Sequence, residues 1–265
     1  MQPELAVPEP LPAAACAEHP DAPSQRTCPR CGRFACERCL LPTSEVCLDC
    51  QRRQLQALPS AAPRARWAER MLWVRAATAA ASVMMDVWLH ARLEDGFSSV
   101  EDATTYDTLA ALVAVPTLLS MVLSAVFFLR WLRLSIQTAA TMGLSQESIS
   151  WATWCWFIPL ANFIKPYEVV RDLRRNLGGP AGTGLLQGWW AAWVAMNILN
   201  RVSDMMSRRA EQDGAAFSSS LVAGIALELV VLVAAVLCIQ VIRQVQVLLD
   251  DRVADFTRAP AEVRP

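Results

Sequence analysis

The sequence predicts a mainly α-helical fold: a polytopic membrane helix bundle of about four spans, preceded by a small cysteine-rich domain. Three observations predict it. The composition is apolar for a soluble chain, 54% hydrophobic against 18% charged. The apolar residues are also segregated, since residues 1–66 are polar and rich in Pro and Cys whereas 71–242 hold long apolar runs. Finally, seven of the nine cysteines fall between Cys16 and Cys50. Water is implied as the solvent of the first part and lipid as the solvent of most of the second.

Residues 1–15 carry acids and prolines and lack both a basic n-region and an apolar h-region, so they read as a disordered lead rather than a signal peptide. Residues 16–50 follow a strict pattern of pairs: Cys16-x2-His19, Cys28-x2-Cys31, Cys36-x2-Cys39 and Cys47-x2-Cys50. Two-residue spacing forms a tight knuckle that points both ligand atoms at one ion. In Cys28-Pro29-Arg30-Cys31-Gly32, Pro29 fixes φ and Gly32 is available for the turn after the second sulfur. The four pairs offer eight ligands, enough for two tetrahedral zinc ions, Zn2+. A disulfide framework would leave one of these seven cysteines unpaired and give His19 no role, and iron–sulfur ligation is the remaining alternative. So short a stretch has little apolar content, with Phe34 and Leu40 as its core, so metal is expected to supply its folding free energy. With every ligand used, such sites read as structural rather than catalytic.

The order of these pairs and their spacing resemble a B-box-type zinc finger. The resemblance implies a cross-brace, with Cys16, His19, Cys36 and Cys39 on one ion and Cys28, Cys31, Cys47 and Cys50 on the other. The last pair is Cys47 and Cys50 where many B-boxes use histidines. A sequential arrangement, pairs one with two and three with four, is stereochemically allowed by the spacing alone.

Residues 51–66 are polar, with Pro59, Pro63 and several arginines, and read as a linker. A four-helix membrane domain is expected over 67–250. Residues 109–129 carry no charge and residues 215–242 carry only Glu228, each long enough to cross a hydrocarbon core of ~30 Å. Residues 71–89 contain Arg75 and Asp86, and 185–206 end with Asn197, Asn200, Arg201 and Asp204; both are expected to span. Arginines cluster before the first span and again over 130–184, whereas the intervening loop is acidic. The positive-inside rule then places both termini in the cytosol, which agrees with reduced zinc thiolates. Lys165 is the only lysine, and the Arg- and Ala-rich usage points to a GC-rich bacterial genome, hence an inner (cytoplasmic) membrane. A disordered tail is expected over 251–265.

Residues 149–164 are apolar and Trp-rich but short for a span and broken by Pro159. Beyond Lys165-Pro166, residues Tyr167, Val170, Leu173 and Leu177 fall on one helical face, and Gly178-Gly179-Pro180 stops the helix. Two readings stand: an interfacial or re-entrant segment leading to an amphipathic helix on the cytosolic surface, or a cap on the bundle. The run from Trp154-Cys155-Trp156-Phe157-Ile158-Pro159-Leu160-Ala161-Asn162 through Lys165-Pro166-Tyr167 to Val169-Val170-Arg171-Asp172-Leu173 resembles the signature of a bacterial membrane family, domain of unknown function 4328. The resemblance, over roughly 70–250, implies a multi-helix membrane domain and no assigned chemistry.

Asp86, His90 and Glu228 form the candidate intramembrane polar site, because an acid at mid-depth costs ~2.5–3.5 kcal/mol in lipid. They would be a proton or cation path, or else Asp86 and Glu228 hydrogen-bond across helices while His90 meets water. Cys155 and Cys238 read as buried apolar residues. No hydrolase elbow, phosphate loop, dinucleotide fingerprint or HExxH helix occurs, so no enzyme is expected. A net charge of −1 gives no basic surplus for nucleic acid. The expected function is a membrane-tethered interaction or sensing protein that meets a cytosolic partner through its zinc module, with Arg30, Arg33, Glu37 and Arg38 as exposed surface. The alternative is a small transporter or channel with a regulatory zinc domain.

Overall fold

The computed structural model describes residues 14–41, 44–94, 100–145, 147–180, 184–210 and 217–258. The lead up to residue 13, the loop residues 95–99 and 211–216, and the tail from 259 lie outside the described residues.

The N-terminal unit is built on backbone turns with little regular structure. Strands β1 (Arg26–Thr27) and β2 (Phe34–Ala35) pair antiparallel, Arg26 with Ala35 and Thr27 with Phe34. A 3-10 turn over Glu37–Cys39 follows, and isolated bridges join Ala15 to Pro23 and Leu40 to Cys47. Helix α1 (Leu48–Ala57) closes the unit, with Cys47 as its N-cap. Phe34, expected as core, is 48% exposed, while Leu40 packs against the cysteines. The interior of this unit is its cysteine side chains, so an aromatic ring is not needed to fill it.

The linker is shorter than the polar composition of 51–66 predicts. Helix α1 covers its start and α2 (Ala62–Glu94) its end, because Leu55, Ala61 and Ala65 bury against the bundle. Helix α3 (Val100–Thr141) contains Pro116, and α4 (Ile149–Trp154), α5 (Lys165–Asn176), α6 (Gly184–Ala210) and α7 (Phe217–Arg258) complete the chain. Helix α7 packs between α2 and α6, and α3 lies on the other side of α2. The expected disordered tail is helical as far as Arg258, continuing the face on which Leu249 is buried.

Among the described residues three helices, α2, α3 and α7, are long and apolar enough to cross a membrane. At 1.5 Å per residue, the 42 residues of α3 and of α7 make rods of about 63 Å, roughly twice a hydrocarbon core. Burial divides each rod into two storeys. On α3, Leu112, Val115, Leu118, Leu119, Val122 and Val126 are exposed, as lipid-facing residues are, whereas Trp131, Leu132, Leu134, Ile136 and Ala139 are buried. On α7 burial is isolated at Leu221 and becomes dense from Val231 to Leu249. The second storey is packed like a soluble core, and α1, α4 and α5 complete it. The described residues of 130–184 therefore lie largely in helices α3, α4 and α5. Helix α6, over which a fourth span is expected, runs beside α7 with Gly188 facing Leu237 but is not among the described helices apolar enough to cross a membrane.

A ring of aromatic residues marks the border between the storeys. Trp67 stacks on Phe127 at 5.8 Å with the Arg70 guanidinium over it, and Phe128 meets Trp156 edge-on at 5.2 Å. Trp156 in turn meets Trp193, and Tyr167 meets Trp190. Indole rings favour this level of a bilayer, where the ring is in apolar surroundings and the N–H near water.

Helix α5 is amphipathic as predicted, but its apolar face does not lie on a membrane. Val169, Val170, Leu173 and Leu177 are buried against the bundle. Gly178 takes φ +85 to end the helix, and Arg252 of α7 donates from Nε to the Leu177 carbonyl at 2.9 Å. Arg174 is buried and donates to the Pro180 carbonyl at 2.7 Å. The capping reading of α5 is the one realised.

Candidate metal centre

Each knuckle is shaped by its own backbone. The Cys28 N–H donates to the Arg33 carbonyl and the Gly32 N–H to the Cys28 carbonyl, both at 2.9 Å, which returns β1 into β2. Gly32 adopts φ +72, and a Cβ there would meet nothing within 4 Å, so glycine is required for conformation and not for space. The first knuckle closes through Ala22 N–H to the His19 carbonyl and Cys16 N–H to the Ala22 carbonyl, both at 3.0 Å. The last sits on the first turn of α1, between Cys47 and Cys50.

The knuckles converge in two groups, Cys16, His19, Cys36 and Cys39, and Cys28, Cys31, Cys47 and Cys50, each with its ligand atoms within 4.8 Å of one another. Pair one joins pair three and pair two joins pair four, so the pairing is interleaved and not sequential. All nine cysteines are free, which leaves no disulfide framework. Seven of the eight residues are buried, Cys31 being half-buried.

The distances fit a tetrahedral ion. With bonds of about 2.3 Å to sulfur and about 2.0–2.1 Å to nitrogen, zinc sets neighbouring sulfurs about 3.8 Å apart and sulfur and nitrogen about 3.6 Å apart. Cys16 and Cys39 Sγ are 3.7 Å apart, as are Cys31 and Cys47 Sγ. His19 Nδ1 lies 3.9, 3.5 and 3.2 Å from the sulfurs of Cys16, Cys36 and Cys39. Each group could therefore hold one metal ion.

Protonation makes the same point. Burial opposes a thiolate at Cys16, but backbone hydrogen bonds at Cys36 and Glu18 outweigh it and bring the thiol down to about 6. Burial likewise opposes Cys28, which backbone hydrogen bonds at Cys47, Cys31 and Arg30 bring down to about 6; the Cys47 N–H donates to its sulfur at 3.4 Å. The neighbours pay for this. Burial first, and then the adjoining sulfurs, push Cys39 and Cys47 up to about 12. Each pocket favours one thiolate and resists a second, a conflict that a divalent cation at the centre removes.

The intramembrane candidates are arranged differently from expectation. Glu228 is paired with Arg75, whose guanidinium reaches Oε2 at 3.0 Å and Oε1 at 3.4 Å with both side chains largely buried. Arg75 also donates to Thr78 at 3.3 Å, and the hydroxyls of Thr78 and Ser120 are 3.2 Å apart, so the cluster ties α2, α3 and α7 together. Asp86 lies against Gly224, one turn before Glu228, and His90 lies one turn beyond Asp86 on α2. Arg75 joins the site although the sequence reading, which places it within the span 71–89, names only Asp86, His90 and Glu228 there. The available signal was its position inside an apolar run, where a lone cation requires an acid on a neighbouring helix. Cys155 and Cys238 are buried, as expected.

One family model matches the chain, described as Domain of unknown function (DUF4328), over residues 94–247. No curated protein and no solved structure matches. The match takes in more than half of the chain, from the end of α2 into the second storey of α7, and leaves the cysteine-rich unit outside it. The chain belongs to the DUF4328 family.

Proposed function

We propose that this chain is a non-enzymatic, membrane-tethered interaction protein whose N-terminal module binds two zinc ions and recruits or senses a cytosolic partner. The observation that carries the reading is the pair of closed four-ligand groups on a unit fastened to a membrane bundle. Zinc, when bound, supplies folding free energy to a unit with almost no other interior. Cys16, His19, Cys36 and Cys39 would hold one ion and Cys28, Cys31, Cys47 and Cys50 the other. The interleaved pairing is what a B-box-type finger implies, and that likeness supports a role in protein contact. Arg30, Arg33, Glu37 and Arg38 are exposed on the module, and Phe34 adds an exposed aromatic ring beside them. In this reading the module and both termini lie in the cytosol of a bacterium, at its inner membrane, where thiolates stay reduced.

Co-purification from native membranes tests the reading, comparing the intact chain with Cys31→Ser at matched abundance. A partner that depends on the zinc module should be lost from the variant. Recovery of the same partners with both proteins would overturn the recruitment role. A second reading, a small transporter or channel with a regulatory zinc domain, is favoured by the charged cluster of Arg75, Asp86 and Glu228. It predicts a proton or cation flux in liposomes that Glu228→Gln and Asp86→Asn abolish, and unchanged flux contradicts it.

A further inference from the structure

The turn that follows α4 presents an apolar surface that no other element covers among the described residues. Trp154 and Phe157 are each 63% exposed, Ile164 60% and Leu160 87%. Over 149–164 the sequence carries no charged residue. The segment is nevertheless docked firmly, because Cys155 is fully buried and Trp156 packs on Phe128 at 5.2 Å and on Trp193 at 5.6 Å. Inward residues hold it while outward ones face away from the bundle. A continuous apolar patch of this kind on a fixed scaffold marks a binding surface.

Its level in the molecule says what binds. Phe128 lies between the last exposed apolar residues of α3, Leu123 and Val126, and the exposed Arg130. The patch is thus held, through Trp156 on Phe128, at the level where the lipid-facing residues of α3 end, beside the aromatic contacts at that border. Lys165, half-exposed, follows the patch immediately, as a cation does at a headgroup boundary. Much of the turn's backbone is paired within the turn itself. Phe157 N–H bonds to the Trp154 carbonyl, Asn162 to Ile158, Phe163 to Leu160 and Ile164 to Ala161, and Pro159 has no N–H to satisfy.

We infer that the turn over residues 154–164 is a wedge inserted into the lipid leaflet on the module's side of the bundle, with Trp154, Phe157, Leu160 and Ile164 among its headgroup-proximal acyl chains. The interfacial element is this turn and not α5. The wedge reaches lipid without crossing it and holds the second storey, with the metal-binding module, at a fixed distance from the bilayer surface. It rests on the reading of α2, α3 and α7 as membrane spans.

Photocrosslinking in native membranes tests it on the full chain. Leu160→p-benzoylphenylalanine is compared with Leu118→p-benzoylphenylalanine, which reports on the α3 belt. The expected result is a phospholipid adduct at both positions. A protein adduct at 160, or none, with a lipid adduct at 118 overturns the wedge and leaves the spans intact. Absence of lipid adducts at both overturns the membrane reading with it.

Discussion

His19 and its three sulfurs show how residue-level chemistry decides the N-terminal unit. With zinc, the four donors share one charge centre; without it, the same burial forces protonated and ionised thiols into contact. The interleaved grouping makes a specific prediction. Cys16→Ser with Cys36→Ser removes two ligands of one site and none of the other, so one of two ions remains bound. Sequential pairing would place these residues in different sites, and both ions would be lost; elemental analysis of the purified variant separates the outcomes. In the second storey, Trp131 Nε1 donates to Gln246 Oε1 at 2.9 Å, and Gln246 Nε2 donates to Asp250 at 2.9 Å. Gln246→Leu orphans the fully buried indole N–H and should cost about 1–3 kcal/mol, read as a lowered melting temperature in detergent. The ligands were legible in the sequence because their spacing is itself the signal. The exposure of Phe34 was not, because nothing in a sequence says that cysteines will fill the space an aromatic usually takes.

Among the elements, α5 depends on a tight stop. A Cβ on Gly179 would lie 2.8 Å from Arg174 Cγ and 2.9 Å from both the Arg174 carbonyl oxygen and Leu248 Cδ1. Gly179→Ala should therefore lift the end of α5 from α7 at a cost of about 1–3 kcal/mol, seen as faster hydrogen exchange over α5. The α2–α7 contact depends on its ion pair. Glu228→Gln leaves Arg75 uncompensated and should destabilise by about 3–5 kcal/mol, whereas Arg75→Met with Glu228→Met should recover much of the loss. Additive effects in that double-mutant cycle would contradict a direct pair. Helix α5 and its stop were readable from periodicity and the Gly-Gly-Pro run. What α5 packs against was not, because an amphipathic face looks the same whether lipid or protein covers it.

At the scale of the whole molecule, long helices serve two solvents. Apolar composition located the lipid storey of α3 and α7 well, since lipid-facing residues must be apolar on all sides. It stopped short at Arg130 and Ile242 because charge returns there, although the helices continue as the scaffold of a soluble-like core. The membrane bundle and the cysteine-rich unit meet in that core. Leu55 of α1 buries with Ala61 and Ala65, and Arg52 donates from Nε to the Phe256 carbonyl at 3.2 Å. One end of α1 thus carries Cys47 and Cys50 while the other is fastened to the bundle, which joins metal binding to the position of the module. The measurement that tests this account most directly is the metal content of the full chain, purified from membranes in detergent under reducing conditions. The account predicts two zinc ions per chain, with all nine cysteines recovered as thiols after denaturation and chelation. A chain that holds its fold without metal, or that carries iron in place of zinc, would contradict it.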